Sequence, residues 1–127
     1  MNALYIPETT LTPEISFDYA KGILSIVGYR SMPEVATKFY EPAINWIQAY
    51  TEQPKTSATE LSIKLDYFNT SSGKCFVEII KKLDQFSGKG HKVLLKWYYE
   101  QNDDDMLKIG EDIQIGISNL VIQKISY

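Results

Sequence analysis

Apolar and polar residues alternate over residues 14–18, and a second, mostly apolar run follows at residues 23–27. Such short runs are typical of strands. Gly22 lies in the short segment between the runs, and Gly28 ends the second one. The pattern therefore predicts an antiparallel hairpin. Leu4–Ile6 predicts a further edge strand.

A helical pattern follows the hairpin. Ser31 is predicted to cap this helix, with Pro33 in its first turn. The apolar side chains that then recur at helical spacing are Val35, Phe39, Ala43, Ile47 and Tyr50. Pro42 falls inside the run and removes one backbone donor, so we expect the helix to kink or to end early there.

The rest of the chain alternates between strand and helix patterns. We expect strands at Glu60–Phe68, Val93–Tyr99 and Leu120–Ile125, and helices at about Lys74–Phe86 and from Asp103–Asp105 onward. Such alternation requires crossover connections, which place neighbouring strands parallel in one sheet. The sequence thus predicts a single α/β domain over residues 1–127. Its mixed central sheet begins with the antiparallel hairpin and is covered by about three helices.

Charge and apolar content exclude several kinds of partner. The net charge is −3 with no basic stripe, which argues against a nucleic-acid partner. No apolar run approaches the roughly 20 residues of a membrane span, so we expect no membrane insertion. The first ten residues do not resemble a secretory signal, and Cys75 is the single cysteine. We therefore expect a cytoplasmic protein.

Residues for catalysis are scarce. With one histidine and one cysteine, the chain cannot assemble a Cys/His zinc cluster. His91 follows two nearby glycines and is interpreted as a solvated loop residue. Nucleophile-elbow and phosphate-loop motifs are absent. We expect neither an enzyme nor a cofactor or metal. A less favoured alternative is a small Mg²⁺-dependent enzyme that uses Glu100 and the Asp103–Asp105 cluster.

One polar segment stands where a strand should lead into a helix. Asn69, Thr70, Ser71 and Ser72 are four successive small polar residues after the predicted strand. The first N–H groups of a helix lack intrahelical acceptors, and such side chains cap them. The same N–H groups and the helix dipole favour an anion. A phosphate on Thr70 or Ser71 would therefore be tolerated and would change the surface that a partner meets.

The residues around this segment carry a resemblance to a known family. Tyr67-Phe68-Asn69-Thr70-Ser71-Ser72-Gly73-Lys74 resembles the signature of the SiaC family of bacterial regulatory phosphoproteins. The other matching landmarks are Ile6-Pro7, Thr12-Pro13-Glu14-Ile15, Asn45-Trp46-Ile47, Lys96-Trp97-Tyr98-Tyr99, Asp104-Asp105-Met106 and Gly110-Glu111-Asp112. The resemblance implies a fold similar to STAS domains, in which a Ser or Thr after a central strand is reversibly phosphorylated.

The resemblance also implies a function. Thr70 would be the phosphoacceptor, supported by Asn69, Ser71, Ser72 and Lys74. The implied partners are a dedicated Ser/Thr kinase, a PP2C-type phosphatase and, for the unmodified form, a diguanylate cyclase that it binds and activates. The implied role is control of cyclic-di-GMP and biofilm behaviour. The alternative is a passive STAS-like binding module that is never phosphorylated.

Overall fold

A computed structural model describes all 127 residues of the chain. The strands are β1 Leu4–Ile6, β2 Glu14–Asp18, β3 Ile23–Ser31, β4 Ala58–Phe68, β5 Lys92–Tyr99 and β6 Val121–Ser126. The helices are α1 Ala36–Glu52, α2 Thr70–Gly88 and α3 Asp104–Ile115. The predicted order of strands and helices, including the edge strand β1, is confirmed.

The six strands form one mixed sheet in which they follow their order along the chain. β1, β2 and β3 pair antiparallel, whereas β3 through β6 pair parallel. Because each parallel crossover advances in the same direction and is right-handed, the three helices lie on one face of the sheet. The other face is bare, and its half-buried residues include Ser25, Ser62 and Lys96, which share one register row.

The core lies between the sheet and the helices. Twenty-four buried apolar residues form one cluster there. Phe17 of β2 packs against Trp46 of α1, with ring centroids 5.1 Å apart, and Phe68 of β4 packs against Phe76 of α2 at the same separation. Trp97 of β5 is also buried, under α3. None of the helices is long and apolar enough to cross a membrane.

The start of α1 differs from the prediction. Ser31 does not cap a helix: it is the last residue of β3, it is fully buried, and it pairs with Phe68 of β4. Pairing with a long parallel neighbour carries β3 past Gly28, where the sequence pattern ended it. Helix α1 begins at Ala36, behind Val35, whose side chain provides no cap.

Two further helix predictions are corrected. Pro42 does not end α1, which continues to Glu52. Helix α2 starts at Thr70 rather than near Lys74, because the small polar residues that the pattern assigned to a loop form its first turn. The later part of this helix buries Phe76, Ile79, Ile80 and Leu83, which recur at helical spacing.

Candidate functional site

Thr70 is the first residue of α2, immediately beyond the carboxyl end of β4. The turn is built by Asn69, whose side-chain oxygen accepts a hydrogen bond from the Ser72 N–H at 2.9 Å. The Asn69 carbonyl accepts the first helical bond from the Gly73 N–H at 3.0 Å. Asn69 is therefore an N-cap, and it fixes the position of Thr70 relative to the sheet.

The four polar residues divide into exposed and buried ones. Thr70 and Ser71 are exposed, as is Lys74 one turn further along the helix. Asn69 is half-buried, and Ser72 is completely inaccessible to solvent. The structure thus leaves the Thr70 side chain open to a modifying enzyme and turns Ser72 into the interior.

Ser72 belongs to a buried hydroxyl network that joins three parts of the fold. Its Oγ lies 2.8 Å from the Oγ of Ser31, at the end of β3, and donates to the Ser31 carbonyl at 3.2 Å. The Ser31 Oγ in turn lies 2.6 Å from the hydroxyl of Tyr40 on α1. The Asn69 N–H also donates to the Ser31 carbonyl, at 3.0 Å. This network, called the Ser31 network below, anchors the first turn of α2.

The Ser31 network contains no group that changes charge near neutral pH. Burial raises the pKa of the Tyr40 hydroxyl well above its usual value, although the hydrogen bond with Ser31 opposes that shift. Serine hydroxyls do not titrate in this range. The anchor under Thr70 therefore keeps its hydrogen bonds across the physiological pH range.

The local electrostatics favour a negative group at Thr70. As the first residues of a helix, Thr70 and Ser71 have N–H groups without intrahelical acceptors, and the positive end of the helix dipole lies here. No acidic residue occupies the first turn of α2. The Lys74 side chain is one turn away on the same helix face. A phosphate attached to Thr70 would meet only favourable charges within this helix end.

A groove of about 680 Å³ opens beside Thr70, between α2 and α3. The rings of Phe68 and Trp97 form its floor, and Thr70 lies at one end. Five aliphatic side chains also line it, namely Val77, Ile80, Ile109, Ile113 and Ile117. We call this feature the α2–α3 groove. The sequence pattern did not predict it, because the spacing between two helices is not encoded in their periodicity.

Other candidate residues lie elsewhere and serve other purposes. His91 is not a solvated loop residue as predicted: it is half-buried, its Nε2 lies 2.8 Å from the Thr59 hydroxyl, and its ring stacks on Phe86. Asp103 caps α3 by accepting from the Met106 N–H at 3.0 Å. Nowhere in the chain do three His, Cys, Asp or Glu side chains converge as metal ligands would.

Sequence analysis missed Ser31 and Tyr40 as supports of the site. Ser31 had been assigned to a helix cap, and nothing in the local pattern around Tyr40 indicates a buried hydroxyl. The only available signal was Ser31 itself, a polar residue at the end of an apolar strand. Its place beside the Asn69–Ser72 segment follows from the parallel pairing of β3 with β4, which has to be known first.

The fold and the site together define a small α/β domain that presents an exposed hydroxyl at a capped helix end. This is the construction of a small regulatory domain. The model of the SiaC family, described as regulatory phosphoproteins, matches residues 6–127. The chain belongs to this family.

Similar proteins come from Pseudomonas aeruginosa. An uncharacterised protein of strain UCBPP-PA14 is 31% identical over 114 residues, spanning 90% of this chain and 89% of that protein. The structure of SiaC is 30% identical with a TM-score of 0.86, and the match covers 98% of this chain and 99% of that one. SiaC bound to the diguanylate cyclase SiaD is 30% identical with a TM-score of 0.85, covering 95% and 98%.

Proposed function

We propose that this chain is a phosphorylation-controlled partner switch centred on Thr70. A dedicated Ser/Thr kinase modifies the Thr70 hydroxyl, and a PP2C-type phosphatase removes the phosphate. The unmodified form binds and activates an effector, a diguanylate cyclase, and thereby controls cyclic-di-GMP synthesis. The chain acts in the cytoplasm by binding rather than by catalysis.

The exposure of Thr70 at the start of α2 is the observation that carries this proposal. A hydroxyl there is accessible to a kinase, and the helix dipole tolerates the phosphate that results. The complex of P. aeruginosa SiaC with the cyclase SiaD supports the choice of effector, since this chain is similar to that SiaC over nearly its whole length.

The switch works through the desolvation of charge. An unmodified Thr70 is small and neutral, so a partner can cover it at little cost. Phosphorylation adds a charge of about −1.5 to −2 at neutral pH. A partner that covers this group must strip its water or supply a cation, and an unpaired buried charge costs a few kcal/mol. Because hydrogen bonds of Ser72 and Asn69 anchor the first turn of α2, the phosphate is carried at this surface.

Three variants test the proposal. Intact mass spectrometry after incubation with the host kinase should show one phosphate on the wild type, none on Thr70→Ala, and one on the matched control Ser71→Ala. Calorimetry with the purified host cyclase should show that Thr70→Ala binds like the unmodified chain. Thr70→Glu should bind about 100-fold more weakly, in line with a penalty of a few kcal/mol.

Each part of the proposal is contradicted by a different experimental result. Phosphate on Ser71 instead of Thr70 would contradict the assigned acceptor. Equal cyclase affinity for Thr70→Glu and the wild type would contradict the switch while leaving the acceptor intact. Repeated absence of phosphate on the protein purified from its host under varied growth would favour the passive binding module.

A further inference from the structure

The carboxyl end of β3 is surrounded by apolar side chains that the core does not use. Four such residues are exposed there, namely Leu11, Tyr29, Met32 and Tyr67. Their exposed fractions lie between 37% and 59%, and none of them belongs to the buried core or packs against its edge. Single exposed apolar residues are ordinary on a protein surface, so what matters is whether these four lie together.

Backbone pairing and one ring contact place these residues side by side. The Met32 N–H donates to the Leu11 carbonyl at 2.7 Å. The Arg30 guanidinium lies over the Tyr29 ring, 4.9 Å from its centroid, and Arg30 is the register partner of Tyr67 in β4. We call the surface formed by these five residues the β3-end patch. A contiguous exposed patch of this kind marks an interaction surface.

The β3-end patch borders Thr70 on the side away from the α2–α3 groove. The carbonyl of Ser31, the residue before Met32, accepts a hydrogen bond from the Asn69 N–H at 3.0 Å, directly before Thr70. The groove instead has Trp97 of β5 in its floor, and β5 lies on the other side of β4 from β3. Thr70 therefore lies between two different surfaces.

Thr70 is presented by folded structure rather than by an extended segment. It is the first residue of α2, in a turn that is anchored by the Asn69 cap and by the hydrogen bonds of Ser72. Drawing this turn out into an extended peptide would break those bonds. An enzyme that modifies Thr70 in place therefore has to recognise the folded surface around it, which includes residues as distant in sequence as Leu11 and Met32.

Charge favours a kinase as the occupant of this surface. Arg30 is the single arginine of the chain, and it forms no salt bridge. A kinase brings a strongly anionic nucleoside triphosphate to the acceptor hydroxyl, and both Arg30 and the positive end of the α2 dipole attract that charge. Transfer forms the bond between the Thr70 Oγ and the γ-phosphorus and breaks the bond to the bridging oxygen. The nucleoside diphosphate leaves, and the hydroxyl proton passes to a base of the kinase.

We propose that the β3-end patch is the docking surface for the kinase that phosphorylates Thr70. The kinase covers the four apolar side chains and carries the phosphates of its nucleotide towards Arg30 and the Thr70 hydroxyl. This inference rests on the proposed function, because the kinase is the modifying enzyme proposed there. It adds the surface by which that enzyme recognises the chain.

Steady-state phosphorylation of the full chain by the purified host kinase, followed by intact mass spectrometry, tests the docking surface. Met32→Glu places a charge in the patch and leaves Thr70 unchanged, so it should raise the KM for the protein substrate about 10-fold or more with little change in kcat. Leu11→Glu, on a different segment, should do the same. Val121→Glu is the matched control, because Val121 is exposed on the far edge strand β6, and it should keep the wild-type KM. Urea denaturation shows that each variant is folded.

A second measurement addresses the charge of the patch. Arg30→Glu should lower kcat/KM for the same kinase about 10-fold at low ionic strength, and the difference from the wild type should shrink as salt is added. Lys89→Glu reverses an exposed charge at the opposite end of α2 and is the control. It should follow the wild type at every salt concentration.

The other two proposed partners show whether the patch serves the kinase alone. Met32→Glu should bind the host cyclase with wild-type affinity and, once phosphorylated, should lose its phosphate to the host phosphatase at the wild-type rate. A comparable loss with either of these partners would overturn the kinase as the occupant. A wild-type KM for both Met32→Glu and Leu11→Glu would overturn the patch and leave Thr70 as the acceptor. No phosphate on Thr70 of the wild type would overturn the proposed function itself.

Discussion

The two ends of the sheet carry hydrogen-bond networks of the same design but of different chemistry. At the site end, Tyr40 of α1 reaches the Ser31 hydroxyl at 2.6 Å. At the opposite end, Tyr50 of the same helix reaches the Thr59 hydroxyl at 2.7 Å. Each strand hydroxyl then bonds a third group, which is Ser72 in the first case and His91 in the second.

The difference lies in that third group. Ser72 is uncharged and completely buried, whereas His91 is half-buried and titratable. The helix end that presents Thr70 is thus held by groups that do not titrate near neutral pH. The distant end is held partly by His91, which is titratable. In the proposed switch, acidity would therefore act on the fold away from Thr70.

Removing the central hydroxyl of each network should have the largest effect. We expect Ser31→Ala to lower the free energy of unfolding by about 2 kcal/mol, because it leaves the buried Tyr40 hydroxyl unpaired. Thr59→Val should cost a similar amount, about 2 kcal/mol, because it leaves the buried Tyr50 hydroxyl unpaired, while water can reach the half-buried His91. Urea denaturation measures both.

The two variants should differ in function. Ser31→Ala should slow phosphorylation of Thr70 by the host kinase, because the first turn of α2 loses its anchor. Thr59→Val should be phosphorylated at the wild-type rate. Equal kinase rates for the two variants would show that the Ser31 network contributes stability alone.

The N-cap at the site should have the next largest effect. Asn69→Ala removes the acceptor of the Ser72 N–H and should destabilise the chain by about 1 kcal/mol. Asn69→Ser keeps a capping oxygen and serves as the control. A loss of stability as large in Asn69→Ser as in Asn69→Ala would mean that the cap bond is not the cause.

His91 should make the distant end sensitive to acid. Burial lowers the pKa of His91 below its usual 6.5, so the folded state disfavours the imidazolium. The contribution of neutral His91 to the free energy of unfolding is therefore fully present above pH 6.5. It is lost as the pH falls from 6.5 through the lowered pKa. The melting temperature measured from pH 7.5 to 5 should show this loss. His91→Gln should reduce the slope, and an unchanged slope would place the acid-sensitive group elsewhere.

The smallest effect is expected at Asp84, near the same end. Its carboxylate accepts hydrogen bonds from the backbone N–H groups of Ser118, Asn119 and Leu120. Burial raises the pKa of Asp84, but these hydrogen bonds outweigh it and the pKa lies below its usual 3.8. The contribution of the Asp84 carboxylate to the free energy of unfolding is therefore present above pH 3.8. It is lost as the pH falls through the lowered pKa.

Asp84→Asn should reduce this loss, which acid titration of the unfolding midpoint below pH 4 would detect. The variant should leave stability at pH 7 lower by a few tenths of a kcal/mol, because the site is partly solvated. A titration curve identical to that of the wild type would show that the carboxylate charge contributes nothing.

The sequence predicted the order of strands and helices because each element has its own period. Leu61, Ile63 and Leu65 alternate with polar residues, and they are buried in β4 as expected. Tyr67 continues the same alternation and yet is 53% exposed, whereas the next residue, Phe68, packs against Phe76 of α2. Periodicity detects a strand but does not show where its inward face changes from one set of positions to the other.

The site was predicted in part. Asn69 could be identified as a cap from its residue type and place, and the exposure of Thr70 agrees with that position. The inward turn of Ser72 could not be foreseen, because a serine in a first turn faces either way until Ser31 is known to lie beside it. Contacts between residues 41 apart depend on strand register, which local sequence does not encode.

The bare face of the sheet gives the molecule a side that can be used for attachment. Gln123 is exposed there, in the same register row as Lys96 and away from the helices. Cys75 is buried, and burial raises the pKa of its thiol, so a maleimide reagent reacts poorly with it. Gln123→Cys would therefore accept a fluorescent dye or a surface tether selectively, and the helical face would stay free for binding experiments with the proposed partners.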